Sequence, residues 1–81
     1  MTREEAYDKL NSVFQDVFDD ESITVNDETT SDYIEDWDSL EHINLVVAVE
    51  QAFDIKFSMG ETTKLNNVGE MVDIILQRTE Q

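Results

Sequence analysis

Apolar residues recur every three or four positions from Arg3 to Phe18, where Ala6, Tyr7, Leu10, Val13, Phe14, Val17 and Phe18 gather on one face of a helix. Thr2, with Glu5 three residues on, has the form of a capping box, so this helix starts at once. The pattern then breaks. From Asp19 to Asp38 the chain turns to acidic and turn-forming residues, leaving Ile23, Val25, Tyr33, Ile34 and Trp37 to pin down a connection of about 20 residues. Helical spacing resumes from Ser39 to Phe53, with Asp38 as N-cap and Glu41 where the helix dipole favours an acid. At about 100° per residue, Leu45, Val46, Val49, Ala52 and Phe53 share the arc that faces a core. Leu40, Ile43 and Val47 fall on a different arc, bordered by Asn44, Glu50, Gln51 and Asp54. They form an apolar stripe left at the surface, a feature that often marks a docking site. His42 turns toward the core side in the first turn, which predicts a partly buried or capping imidazole.

After Asp54, Ile55-Lys56-Phe57 reads as extended, and Ser58 with Glu61 caps a short helical turn reaching Leu65. Asn67 with Glu70 opens a last helix, in which Val68, Met71, Val72, Ile74, Ile75 and Leu76 make a broad buried face and Arg78 suits the dipole's negative end. No two runs alternate like paired strands, and no segment repeats. The expected fold is all-α: a four-helix bundle of three main helices and one short helix, with a long loop between the first and second. A chain of 81 residues makes one domain, 1–81, that buries only roughly 60% of its unfolded surface, and a monomer is expected. Val46, Val49, Phe53, Val68, Val72 and Ile75 are expected to converge between the helices.

Charge narrows the partners. Twenty Asp and Glu against five Lys and Arg give a net charge of -15, which repels nucleic acid and anionic membrane and suits proteins with basic docking patches. No Lys or Arg occurs between Lys9 and Lys56. With no cysteine there is neither a disulfide framework nor a thiolate metal site. The start, Met1-Thr2-Arg3-Glu4-Glu5, lacks the apolar segment of a signal peptide, and no apolar run is long enough to span a membrane. A cytoplasmic location is expected.

The candidate chemistry centres on Ser39, a hydroxyl at the positive end of a helix, ringed by carboxylates. Serine there has an ordinary use in satisfying an early amide. Asp38, Ser39 and His42 suggest a hydrolytic triad, but the histidine sits one turn along the same helix and no glycine-rich turn builds an oxyanion site, so no enzyme is expected. A serine modified by another enzyme needs only exposure and a docking surface. Asp32, Glu35, Asp36 and Asp38 lack the spacing of an EF-hand and imply diffuse cation attraction, with no structural metal. Trp37 reads as a loop anchor with its ring buried and its N–H hydrogen-bonded.

Asp38-Ser39-Leu40-Glu41, the helix through Leu45, Ala48, Glu50 and Phe53, Asp54-Ile55, and Val68-Gly69-Glu70-Met71-Val72-Asp73 together resemble the acyl carrier protein family, over most of the chain. That resemblance implies a 4'-phosphopantetheine arm from coenzyme A esterified to Ser39 by a phosphopantetheinyl transferase. Acyl groups would be loaded on its thiol by a ligase or transferase and presented to enzymes of fatty-acid, lipid or polyketide-type synthesis. Asp38 and Leu40 match the flanks of the modified serine, Glu41 and Glu50 match recognition acids, and Ile43 and Val47 match apolar contact positions. The resemblance also implies that the core side chains part to shelter an acyl chain. Departures occur at Asp36, Trp37, Asn44, Gln51 and Phe57-Ser58, and they point to a specialised bacterial carrier. Two other readings stay open: a carrier of amino acids, of the peptidyl or D-alanyl kind, and an acidic helical adaptor with no prosthetic group.

Overall fold

The computed structural model of the protein describes residues 1–79. Its α-helices are α1 (Arg3–Val17), α2 (Ser39–Phe53), α3 (Met59–Thr63) and α4 (Val68–Thr79), and a 3-10 turn, Ser31–Tyr33, interrupts the long connection. Three long helices and one short one match the expected bundle. Among the described residues there is no strand.

Helix α1 begins where the capping box places it. The Glu5 N–H donates to Thr2 Oγ1 at 3.1 Å and the Thr2 N–H donates to Glu5 Oε1 at 2.8 Å. Donation from the Thr2 N–H, and then from its hydroxyl, favours the charged carboxylate and holds the Glu5 pKa below its ordinary value. Ala6, Leu10, Val13 and Phe14 are buried, and α1 packs against both α2 and α4. The core adds Leu45, Val49 and Phe53 from α2 and Val68, Met71, Val72 and Ile75 from α4. A side chain of Leu or Phe size, fully buried, stabilises the fold by about 1.5–3 kcal/mol, so these residues set the mutual seating of the helices. Ile74 and Leu76, expected in the buried face of α4, are only half-buried, because a helix packed on one side hides a stripe narrower than the whole apolar run.

The long connection is folded back along α1 by a ladder of polar side chains four residues apart. Gln15 Nε2 donates to the Ile23 carbonyl (2.9 Å), Asn11 Oδ1 accepts the Val25 N–H (2.7 Å), and Tyr7 and Arg3 both donate to the Asp27 carboxylate. Residues four apart share a helix face, so one edge of α1 grips alternate residues of an extended segment. Beyond it, the Val68 N–H donates to the Thr29 carbonyl at 2.8 Å and the Gly69 N–H to the Asp27 carbonyl at 3.2 Å. The first amides of α4, which have no partner within their own helix, are thus satisfied by loop backbone. A Cβ on Gly69 would lie 2.8 Å from the Asp27 carbonyl oxygen, so this approach requires glycine. Thr29, buried, closes the turn by accepting the Asn26 N–H at 2.9 Å.

Two further expectations are corrected in the loop and in α3. Tyr33 does not pin the loop: it is 75% exposed, because the 3-10 turn directs it away from the bundle. Helix α3 ends at Thr63, short of Leu65. The Ser58 N–H donates to Glu61 Oε1 at 2.8 Å as the capping pattern predicts, but so short a helix has no propagation energy to extend it. Arg78 holds it from α4, donating to Glu61 at 2.5 Å and to the Lys56 carbonyl at 3.1 Å.

Candidate functional site

Ser39 is the first residue of α2, and Asp38 is its N-cap, accepting the Glu41 N–H at 2.8 Å. The helix therefore starts on a carboxylate, and the serine oxygen is not needed as a cap. Among the described residues the Ser39 hydroxyl has no hydrogen-bond partner, and the residue is exposed. It sits where helix dipole and unpaired amides favour an anion.

The chain reaches Ser39 through Trp37. Its indole ring packs edge-on to Phe14, centroids 5.3 Å apart, and against Phe18 at 6.2 Å. The ring is half-buried, not buried as expected, and its N–H donates to His42 Nδ1 at 3.1 Å. His42 Nε2 lies 2.9 Å from the Thr62 carbonyl. Both imidazole nitrogens are therefore occupied away from Ser39, and Asp38 is engaged in capping. The three residues sit close in sequence without forming a nucleophile, base and orienting acid.

Leu40, Ile43 and Val47 lie on the outer face of α2 and are 67%, 61% and 46% exposed. Three large apolar side chains on one helix face beside an exposed hydroxyl make a ready contact surface. Glu41 is half-buried and accepts a hydrogen bond from Asn44 Nδ2 at 3.3 Å. Glu50 has a second use: its Oε2 accepts the Phe57 N–H at 2.7 Å and fixes the turn into α3. No sequence pattern announced that bond, since it depends on the left-handed backbone at Asp54 (φ 55°) that reverses the chain.

A cleft of about 830 Å³ opens beside Ser39, lined by Trp37, His42, Ile43, Val46, Val47, Leu65 and Met71 with Thr62, Thr63, Asn66 and Asn67. Its walls mix apolar surface with hydroxyl and amide groups. Val49, Val68, Val72 and Ile75 are fully buried as expected, but Val46 is half-buried and faces the cleft. Met71, a core residue of α4, also lines the cleft, so its floor reaches the core. Among the described residues, no three His, Cys, Asp or Glu side chains gather to hold a metal, and no helix is long and apolar enough to cross a membrane.

No family model matches the chain. Curated relatives do. It is 34% identical over 76 residues to an acyl carrier protein of Picosynechococcus sp., covering 94% of each chain. It is 31% identical over 77 residues to an acyl carrier protein of Coprothermobacter proteolyticus, covering 93% of this chain and 92% of that one. Among solved structures, the holo acyl carrier protein of Geobacter metallireducens, determined in solution by NMR, superposes with a TM-score of 0.84 at 44% identity, covering 90% of this chain and 84% of the other.

Proposed function

Because the chain belongs to the acyl carrier protein family, we propose that it carries acyl groups on a 4'-phosphopantetheine arm esterified to Ser39, with residues 1–81 forming the carrier unit. The observation that carries this reading is the free, exposed hydroxyl of Ser39 on the first turn of α2, with the cap supplied by Asp38. The residues present fit the group. The helix start tolerates the negative phosphodiester, the oxygen is open to a visiting transferase, and a cleft adjoins it. When bound, the arm supplies a thiol on which acyl groups are held as thioesters.

The chain's own residues recruit and release. Its negative charge accelerates encounter with enzymes that present basic patches, and the Leu40, Ile43 and Val47 stripe adds a small apolar contact that keeps residence brief. Asp38 and Leu40 flank the attachment point, and Glu41 and Glu50 border the stripe. The partners of this reading are a phosphopantetheinyl transferase, an enzyme that loads the acyl group, and the synthases that process it, all in the cytoplasm. In this reading the chain is the carrier, and the chemistry belongs to its partner enzymes.

Intact-mass measurement after incubation with coenzyme A and a broad-specificity transferase tests the proposal. The protein gains the mass of one phosphopantetheine and Ser39→Ala gains none. A folded parent protein that gains no mass contradicts the reading and favours the adaptor.

A further inference from the structure

Three groups form a line across the cleft beside Ser39. The Trp37 indole N–H donates to His42 Nδ1 at 3.1 Å, and His42 Nε2 lies 2.9 Å from the Thr62 carbonyl. The imidazole thus bridges the loop that leads into α2 and the short helix α3, and all three residues line the cleft. It bridges them only while neutral. An indole nitrogen donates and never accepts, so its partner Nδ1 must keep a lone pair. A proton added to Nδ1 sets two N–H groups against each other, while the Nε2–H bond to the carbonyl survives and gains the strength of a charged donor. Protonation breaks one half of the bridge and keeps the other.

We propose that His42 is a proton-operated latch on this cleft: as the imidazole gains its proton, Trp37 is released, and the wall beside Ser39 opens on the loop side while α3 stays held. Imidazole is the side chain whose ordinary titration falls between about pH 5 and 8. The surroundings leave the response to it. Of the residues that line the cleft, Asp38 is the one other ionisable group, and its carboxylate caps α2 by accepting the Glu41 N–H. On α2, Glu41 accepts from Asn44, and on α3, Glu61 is paired with Arg78, with Lys64 exposed just beyond. From α4 the cleft receives neutral Met71, and Glu70 is turned to Asn66. On the other side of Trp37, α1 presents Phe14 and Phe18, which hold the ring and offer its N–H no acceptor. The ring is half-buried, so a freed N–H can turn to water. A group tethered in the cleft is then covered at neutral pH and uncovered in mild acid, a consequence that rests on the reading of Ser39 as the attachment point.

The latch is tested on the unmodified protein, isotope-labelled for NMR and titrated from about pH 8 to pH 5. Trp37 is the only tryptophan, so its indole signal is unambiguous. That N–H resonance should shift with the same midpoint as the His42 ring nitrogens, and in the acid form it should exchange with water about tenfold faster than in His42→Gln at the same pH. Glutamine offers Trp37 an acceptor and Thr62 a donor but takes no proton, so the indole of that variant should not respond over this range. An indole that ignores the titration of His42, an equal response in His42→Gln, or a response that accompanies loss of helical circular dichroism would overturn the proposal. Any of these results, with phosphopantetheine still added to Ser39, rejects the latch and leaves the carrier reading in place; a working latch on a protein that gains no phosphopantetheine does the reverse.

Discussion

Trp37 lies beside His42 with ring centroids 6.0 Å apart and planes 20° from parallel, and its indole N–H donates to Nδ1 of that ring. Indole nitrogen can only donate, so Nδ1 accepts and the ring proton resides on Nε2, facing the Thr62 carbonyl. One side chain therefore ties the approach to Ser39, the first turn of α2 and the end of α3 into a single unit.

Replacing His42 by alanine should destabilise the fold by about 1–2 kcal/mol, because a partly buried N–H and a carbonyl lose their partner together. Trp37 is the only tryptophan, so its emission reports the change directly. Urea unfolding followed by fluorescence, with an unshifted midpoint and unchanged native spectrum, would refute the link.

The two glycines should respond in opposite directions. Gly69→Ala places a Cβ 2.8 Å from the Asp27 carbonyl oxygen and 3.0 Å from its Cα, and forcing loop from helix costs about 1–3 kcal/mol. Gly60, within α3, has nothing within 4 Å of the same position, so alanine there gains helix propensity of about 0.5–1 kcal/mol. Thermal unfolding of both variants decides whether the seat of α4 on the loop is as close as described.

Acid should loosen α3 through Glu61. Its hydrogen bond to Arg78, and then that from the Ser58 N–H, lower its pKa from 4.5 to about 2. A depressed carboxyl pKa contributes stability that is complete above 4.5 and disappears as pH falls through about 2. Glu61→Gln should therefore be less stable than the parent at neutral pH, and the gap should narrow across that window. A gap that stays constant from pH 7 to 2 would show that the ion pair contributes nothing.

Exposure and function separate on the outer face of α2. Ile43→Ser removes a side chain that is 61% exposed, so stability should change by no more than about 0.5 kcal/mol. Phosphopantetheine transfer to Ser39 should slow, chiefly through a higher KM. Steady-state kinetics of the transferase, alongside a melting curve, distinguishes a contact residue from a structural one.

The helices were legible because their causes are local. Thr2 and Glu5, Asp38, and the spacing of Leu45, Val49 and Phe53 each act within a turn or two, and the same spacing exposed the Leu40, Ile43 and Val47 stripe. What escaped the sequence is long-range and made by backbone. The carbonyls of Asp27 and Thr29 that start α4 leave no side-chain signature, and Tyr33 could be placed only once the 3-10 turn was known. The ladder of Arg3, Tyr7, Asn11 and Gln15 is a regular four-residue series in plain view, yet its partners lie 8 to 24 residues onward. Trp37 and His42 were read separately, and their pairing needed the path of the loop.

The seating of α4 on two main-chain oxygens makes spacing matter more than identity in part of the connection. A carbonyl is common to every amino acid, so substitutions between Phe18 and Thr29 can accumulate wherever Gln15, Asn11, the Asp27 carboxylate held by Tyr7 and Arg3, and buried Val25 and Thr29 are respected. A single inserted or deleted residue there would slide the oxygens past the amides that need them. Past Thr30 that constraint lapses, and related chains can differ in the number of residues before Trp37 without unseating a helix.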